Sequence, residues 1–192
     1  MGKTLRQERS NILKIVMFGP ESTGKTTLSK QLAEKYNTVW IPEFARDYLQ
    51  EKWEKEQKIC ELEDLIPIAE GQMKLENDFA KKANKILFCD TNLLETKVYS
   101  EEYYDGFVDE KLEKAALECE YDFYFLTYID TPWEEDDLRD RPDMREEMFQ
   151  AFKNTLDKYK IPYILLKGDK ETRLKIASEK IDSLLKERKK DS

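Results

Sequence analysis

The chain has 192 residues, 41 acidic against 33 basic side chains, a formal charge of −8 and no histidine. This length supports a core able to bury a sheet without disulfide or metal staples, and the acidic balance excludes a general nucleic-acid binder, which needs a basic field to meet phosphate. Without imidazole no histidine-dependent triad, zinc site or nucleotidyl-transfer motif can be built, so acid–base work falls to carboxylates, lysines or tyrosines.

Short apolar runs alternate with longer amphipathic ones, the β-α pattern of a parallel sheet covered on both faces. In chain order the runs predict a strand over 12–18, a helix over 24–36, a strand over 38–42, helices over 43–57 and 61–83, and a strand over 85–89. Helices over 92–103 and 108–119, a strand over 122–129, a helix over 143–159, a strand over 162–166 and a helix over 170–187 complete the pattern. In the helix after Pro142, Met144, Met148, Phe149, Phe152 and Leu156 make one apolar face for the sheet. The charge-rich stretches EKWEKEQKICELED and KERKKDS read as solvated helix faces and a frayed tail. Three separated cysteines, Cys60, Cys89 and Cys119, show no metal-ligand spacing and suit a reducing cytosol. Nothing resembles a signal peptide, and the apolar runs fall short of the roughly 20 residues of a membrane helix. The expectation is one domain over 1–192, cytoplasmic, with small-molecule partners, no nucleic acid and no membrane; the sequence carries no signal for an oligomeric state.

Between the first strand and the first helix stands GPESTGKTT, which satisfies G-x-x-x-x-G-K-[ST] from Gly19 to Thr26. Glycines let successive N–H groups turn inward, and the helix N-terminus adds partial positive charge, so Gly19, Glu21, Ser22, Thr23, Gly24, Lys25, Thr26 and Thr27 form a phosphate cradle. Lys25 is expected to reach the β and γ phosphates of ATP, and the Thr26 hydroxyl to ligate Mg²⁺.

Two acids end the neighbouring strands. Asp90 closes ILFCD at the carboxyl edge, where ligands of open α/β sheets collect, and is expected to hold Mg²⁺ or orient a substrate hydroxyl; capping the next helix is its bland alternative. Cys89 before it reads as buried filler. Glu43 follows TVWIP beside the loop, and Arg46 and Asp47 lie three and four residues on, a set suited to sugar hydroxyls or to an ordinary exposed salt bridge. After the fourth strand, DTPWEEDDLRDRPDMR places Arg139, Arg141 and Arg145 close together, either as mobile cations that close over a phosphoryl group or as a salt-bridged turn. Trp133 beside Pro132 serves either packing or as a flat wall for a ring.

Together, GPESTGKTTL, PEFARDY, FCDTNLLETKVY, DTPWEEDDLRD, REEMFQAF and IPYILLKGDKETRL resemble the ribosylnicotinamide kinase domain of bacterial NadR proteins over nearly the whole length. The first segment is common to many NTPases; the second and fourth are far more specific. The resemblance implies a P-loop kinase three-layer α/β sandwich with a five-stranded parallel sheet in the order 2-3-1-4-5 and a short arginine-bearing lid at about 131–145. It implies ATP-dependent phosphorylation of the 5′-hydroxyl of nicotinamide riboside to nicotinamide mononucleotide. It makes Lys25, Glu43, Asp90, Arg139 and Arg141 catalytic, with Thr26 and Asp90 at the metal. Gly168 and Asp169 would border adenine, while Arg46, Asp47, Tyr48, Asn92 and Trp133 would line the riboside pocket. One departure is visible: where the family commonly has Asp-Gly before the lid arginine, this chain has Asp136-Asp137. The adenylyltransferase signature of the larger NadR proteins uses histidine and is not expected here. The alternatives are a P-loop kinase for another nucleoside or small alcohol, and an ATPase switch.

Overall fold

The computed structural model describes residues 5–135, 138 and 142–190. β1 (Leu13–Phe18), β2 (Trp40–Ile41), β3 (Ile86–Asp90), β4 (Phe123–Thr127) and β5 (Tyr163–Leu166) form one sheet in the order β2-β3-β1-β4-β5. Every pairing within it is parallel, with Val16 beside Cys89 on one flank and beside Tyr124 on the other. Among the described residues seven α-helices connect and cover the strands: α1 (Lys25–Lys35), α2 (Phe44–Glu56), α3 (Leu65–Ala80), α4 (Leu93–Tyr103), α5 (Glu110–Glu118), α6 (Arg145–Lys158) and α7 (Lys170–Lys190).

β1 is buried on both faces, so its side chains feed two cores in alternation. Val16 and Phe18 point into a core shared with α3, α4, α5 and α6, where Phe18 packs edge-on against Phe152 at 4.8 Å between centroids. Ile15 and Met17 point into the opposite core, closed by Leu28 and Leu32 of α1 and Ala177 and Ile181 of α7. The α/β sandwich expected from the alternating pattern is therefore present, and the sheet's carboxyl edge is left to the loops.

Four local features depart from the sequence reading. β2 has only two paired residues: Pro42 has no N–H to extend the ladder, and upstream the Thr38 hydroxyl donates to Ile86 O at 2.6 Å in place of a backbone rung. The predicted 61–83 helix begins as a 3₁₀ turn at Leu62–Asp64, held by a reciprocal capping box in which Glu61 N donates to Asp64 Oδ2 at 2.7 Å. EKWEKEQKICELED is accordingly not one solvated helix face. Gln57 breaks it at φ 56°, and Asp64, 4% exposed, receives Lys52 Nζ at 2.6 Å and Tyr48 Oη at 3.0 Å. The tail also differs, because α7 stays helical through Lys190.

Candidate active site

β1 delivers its chain directly into the phosphate loop, and two close contacts fix the loop's shape. Gly19 has φ 140°, and a Cβ there would stand 2.6 Å from Thr127 Oγ1 and 3.0 Å from Thr127 O, so a side chain is excluded. Thr23 Oγ1 donates to Pro20 O at 2.7 Å and lies 2.7 Å from Thr127 Oγ1. Ser22 at the tip has φ 56°, and Gly24, the N-cap of α1, has φ 84°. Lys25 and Thr27 lie in the first turn of α1, where Lys25 folds back so that Nζ donates to Gly19 O at 2.6 Å and Pro20 O at 2.9 Å.

Carboxylates surround this lysine. Asp90, the last residue of β3 and 1% exposed, accepts a hydrogen bond from the exposed Thr26 through Oδ2, while its buried Oδ1 has no hydrogen-bond partner among the described residues. Glu43 occupies the N-cap of α2 at the end of β2. Glu95, in the first turn of α4, lies with Oε1 3.1 Å from Lys25 Nζ. That contact is an ion pair without hydrogen-bond geometry, so both Glu95 oxygens are buried without a directed donor. Burial opposes the Lys25 ammonium, but Glu95, Glu43 and Asp90 outweigh it and raise its pKa. Burial also raises Asp90, against the pull of Lys25 and the Thr26 hydroxyl. Glu95 is pushed from 4.5 up to about 8, by burial first; Lys25 works against this, while Glu43 and Asp90 add to it.

Glu43 and Glu95 open onto a cleft of about 160 Å³ whose walls include Glu21, Arg46, Gln72, Tyr99, Tyr103 and Tyr104. Ile59 and Cys60 close one side, placed there by the turn that the Asp64 contacts hold. A larger depression of about 1330 Å³ lies at the opposite end of the strands, beside Lys14 and Asp122, away from the phosphate loop. The smaller cleft is the candidate because it adjoins the phosphate cradle at the carboxyl edge.

On the other side of the loop, Gly168 (φ 95°) donates its N–H to Asp130 Oδ2 at 2.7 Å, and Asp169 Oδ1 accepts Thr172 N at 2.8 Å at the start of α7. Arg173, 4% exposed, joins the pieces: it donates to Thr23 O at 2.5 Å, Gly168 O at 2.9 Å and Tyr128 O at 3.0 Å, and pairs with Asp130. Arg145 ties the 131–134 segment to the loop tip, donating to Thr131 O at 3.0 Å and Ser22 O at 3.2 Å, with its guanidinium 5.6 Å from the Trp133 ring.

The fold thus brings Gly19 to Thr27, Glu43, Arg46 and Asp90 together at one edge. Other expected riboside residues stand elsewhere. Asp47 is exposed in the first turn of α2, and Tyr48 is engaged with Asp64. Asn92 caps α4, accepting Glu95 N at 3.2 Å and donating to Tyr124 Oη at 2.8 Å. Trp133 packs against Arg145, and none of these four lines the cleft. Arg139 and Arg141 lie outside the described residues. Sequence reasoning missed Glu95, Arg173 and the tyrosines of α4. The spacing Asn92-x-x-Glu95 reads as a helix capping box, which conceals that the Glu95 carboxylate turns to Lys25 instead.

A model of the AAA domain family matches residues 14–173. The chain belongs to the AAA domain family. Its AAA domain is 30% identical over 125 residues to the trifunctional NAD biosynthesis/regulator protein NadR of Salmonella typhimurium and of Escherichia coli, a match over 65% of this chain and 30% of each relative. Among solved structures it is similar to NadR protein in complex with NR, with a TM-score of 0.72 at 22% identity over 87% of this chain and 49% of that one. It also resembles deoxyadenosine kinase from M. mycoides with bound dCTP, with a TM-score of 0.65 at 17% identity over 89% of this chain and 100% of that one. The fold is that of the P-loop nucleoside and nucleotide kinases. Among the described residues no helix is long and apolar enough to cross a membrane, and no three His, Cys, Asp or Glu side chains group to hold a metal.

Proposed function

We propose that this AAA domain transfers the γ-phosphoryl group of ATP to the 5′-hydroxyl of nicotinamide riboside, giving nicotinamide mononucleotide. The observation that carries the reading is the character of the cleft beside Lys25: carboxylates Glu21, Glu43 and Glu95 with the phenol rings of Tyr99, Tyr103 and Tyr104. A nicotinamide riboside ring is a flat pyridinium cation, and an acidic, tyrosine-walled cleft favours a flat cation over a neutral or anionic ring. The match to NadR supports the same substrate.

In this reading Lys25 leaves the carbonyls of Gly19 and Pro20 for the β and γ phosphates, while loop N–H groups hold the phosphate oxygens. Glu43, at the end of β2, orients the acceptor hydroxyl, whose oxygen bonds to the γ-phosphorus as the bond to the β-phosphate oxygen breaks and whose proton passes to Glu43 late in the transfer; a loose transition state asks more of position than of base strength. Thr26 and Asp90 fit Mg²⁺: a hydroxyl and a carboxylate stand together, and the buried Asp90 Oδ1 lacks a partner among the described residues. With few protein ligands, phosphate oxygens and water would complete the shell, as this cation prefers. Bound there, Mg²⁺ would neutralise charge on the β and γ phosphates. Gly168 and Asp169 border adenine, and Arg139 and Arg141 close over the phosphates.

The test is incubation of the purified protein with labelled ATP, Mg²⁺ and a panel of ribosides. Labelled nicotinamide mononucleotide is expected. Labelling only of another nucleoside would replace the substrate, and hydrolysis of ATP without transfer would replace the kinase by a switch.

A further inference from the structure

Glu95 is built into this site in a way that helix capping does not explain. Asn92 caps α4, and a glutamate three residues later ordinarily returns its carboxylate to the N-cap amide. Here the carboxylate does not: it is 2% exposed, its contact with Lys25 Nζ at 3.1 Å is an ion pair outside strict hydrogen-bond geometry, and neither oxygen meets another donor among the described residues. It faces the cleft in company with Glu43, Arg46 and Tyr99. A buried carboxylate with open acceptor positions is costly unless a donor arrives. Lys25, moreover, is the residue that phosphate draws away.

We propose that Glu95 is a further acceptor-binding residue, occupied by Lys25 in the empty site and handed to a hydroxyl of the acceptor once ATP phosphates take the lysine. The inference rests on the kinase reading. When Lys25 moves to the phosphates, Glu95 loses its only counter-ion among the described residues and keeps the same burial, so an O–H donor in the cleft gains what the lysine gave up. The exchange makes ATP and acceptor bind with positive coupling, and coupling between two ligands is reciprocal. It also sets the ligand class: a polyol that presents a hydroxyl donor to Glu95, such as a riboside, is held, whereas a phosphorylated product brings an anion against Glu95 and Glu43 and is expelled.

Binding of nicotinamide riboside, measured by calorimetry at about pH 8.5 with and without the non-hydrolysable analogue AMP-PNP, reads this directly, because Glu95, its pKa pushed up to about 8, is then mostly ionised. In the wild type AMP-PNP should tighten riboside binding about tenfold. Glu95→Gln keeps the shape and removes the charge, so it should abolish that coupling and raise the riboside KM about tenfold while the ATP KM moves less than about threefold. Glu95→Asp, which keeps the charge, should restore part of the coupling and serves if the glutamine variant folds poorly. A wild type that phosphorylates nothing in the riboside panel would overturn the kinase reading itself. An active wild type without coupling, or a Glu95→Gln variant that loses ATP affinity with its riboside KM unchanged, would overturn the role of Glu95 alone.

Discussion

Lys25 is the residue on which the site's electrostatics turn, because three carboxylates keep it charged inside a buried loop. Replacing it with alanine should leave a folded protein whose turnover falls at least about a hundredfold, the scale of removing a group that stabilises transition-state charge. Circular dichroism and a coupled ADP assay separate the two effects. Asp90→Asn should behave alike, and its stability should not suffer, since burial already disfavours the Asp90 anion. Glu95 gives a sign that can be worked out. Its folded pKa of about 8 lies above the ordinary 4.5, so between those values the folded protein holds a proton that the unfolded chain has released. Stability tied to this group is present below pH 4.5 and is lost as pH rises through 8. Urea titrations at pH 5 and pH 8 should show the wild type losing ground to Glu95→Gln, by an amount on the order of a few kcal/mol.

Elements fix where these residues stand. α2 has no buried residue of its own, yet its first turn carries Arg46 and its N-cap is Glu43. What seats it is Gly71 of α3: a Cβ there would stand 2.1 Å from the Phe44 ring, so the glycine is the socket for the start of α2. Gln72 completes the joint, accepting Phe44 N at 2.7 Å and donating to Pro42 O at 3.3 Å. Gly71→Ala should displace the ring and cost about 1–3 kcal/mol by overpacking, partly offset by better helix propensity. Steady-state kinetics should show the riboside KM rising and the ATP KM nearly unchanged, because α1 and the phosphate loop belong to the other side of the sheet.

The molecule as a whole ties the phosphate loop to its neighbouring loops at one edge of the sheet. Arg173 of α7 ties the phosphate loop to the loops after β4 and β5, and Arg145 at the start of α6 ties the loop tip to residues 131–134. Ligands on the loop should therefore be felt by segments far apart in sequence. AMP-PNP at a hundred times its dissociation constant should stabilise the fold by about 2.7 kcal/mol, read as a rise in melting temperature. Hydrogen exchange at 131–135 and 142–146 should slow most with AMP-PNP and nicotinamide riboside together; equal protection with either ligand alone would discard closure over the pair.

By itself the sequence determined the alternation of strands and helices, the buried parallel sheet and the phosphate loop, because each is written in local periodicity and in glycine spacing. Asp90 and Glu43 were legible for the same reason, standing where apolar runs stop. Only the tertiary structure decided which polar residues meet. Tyr48 and Asp47 follow Arg46 directly, yet a helix turns successive side chains about 100° apart, so Arg46 faces the cleft while Tyr48 reaches Asp64. Glu95 looks like half of a capping box until the fold sets α4 beside α1 and Lys25 takes its carboxylate. Arg173 lies 150 residues from the Thr23 carbonyl that it holds. Contacts of that separation depend on how the sheet orders its strands, and no local pattern encodes them.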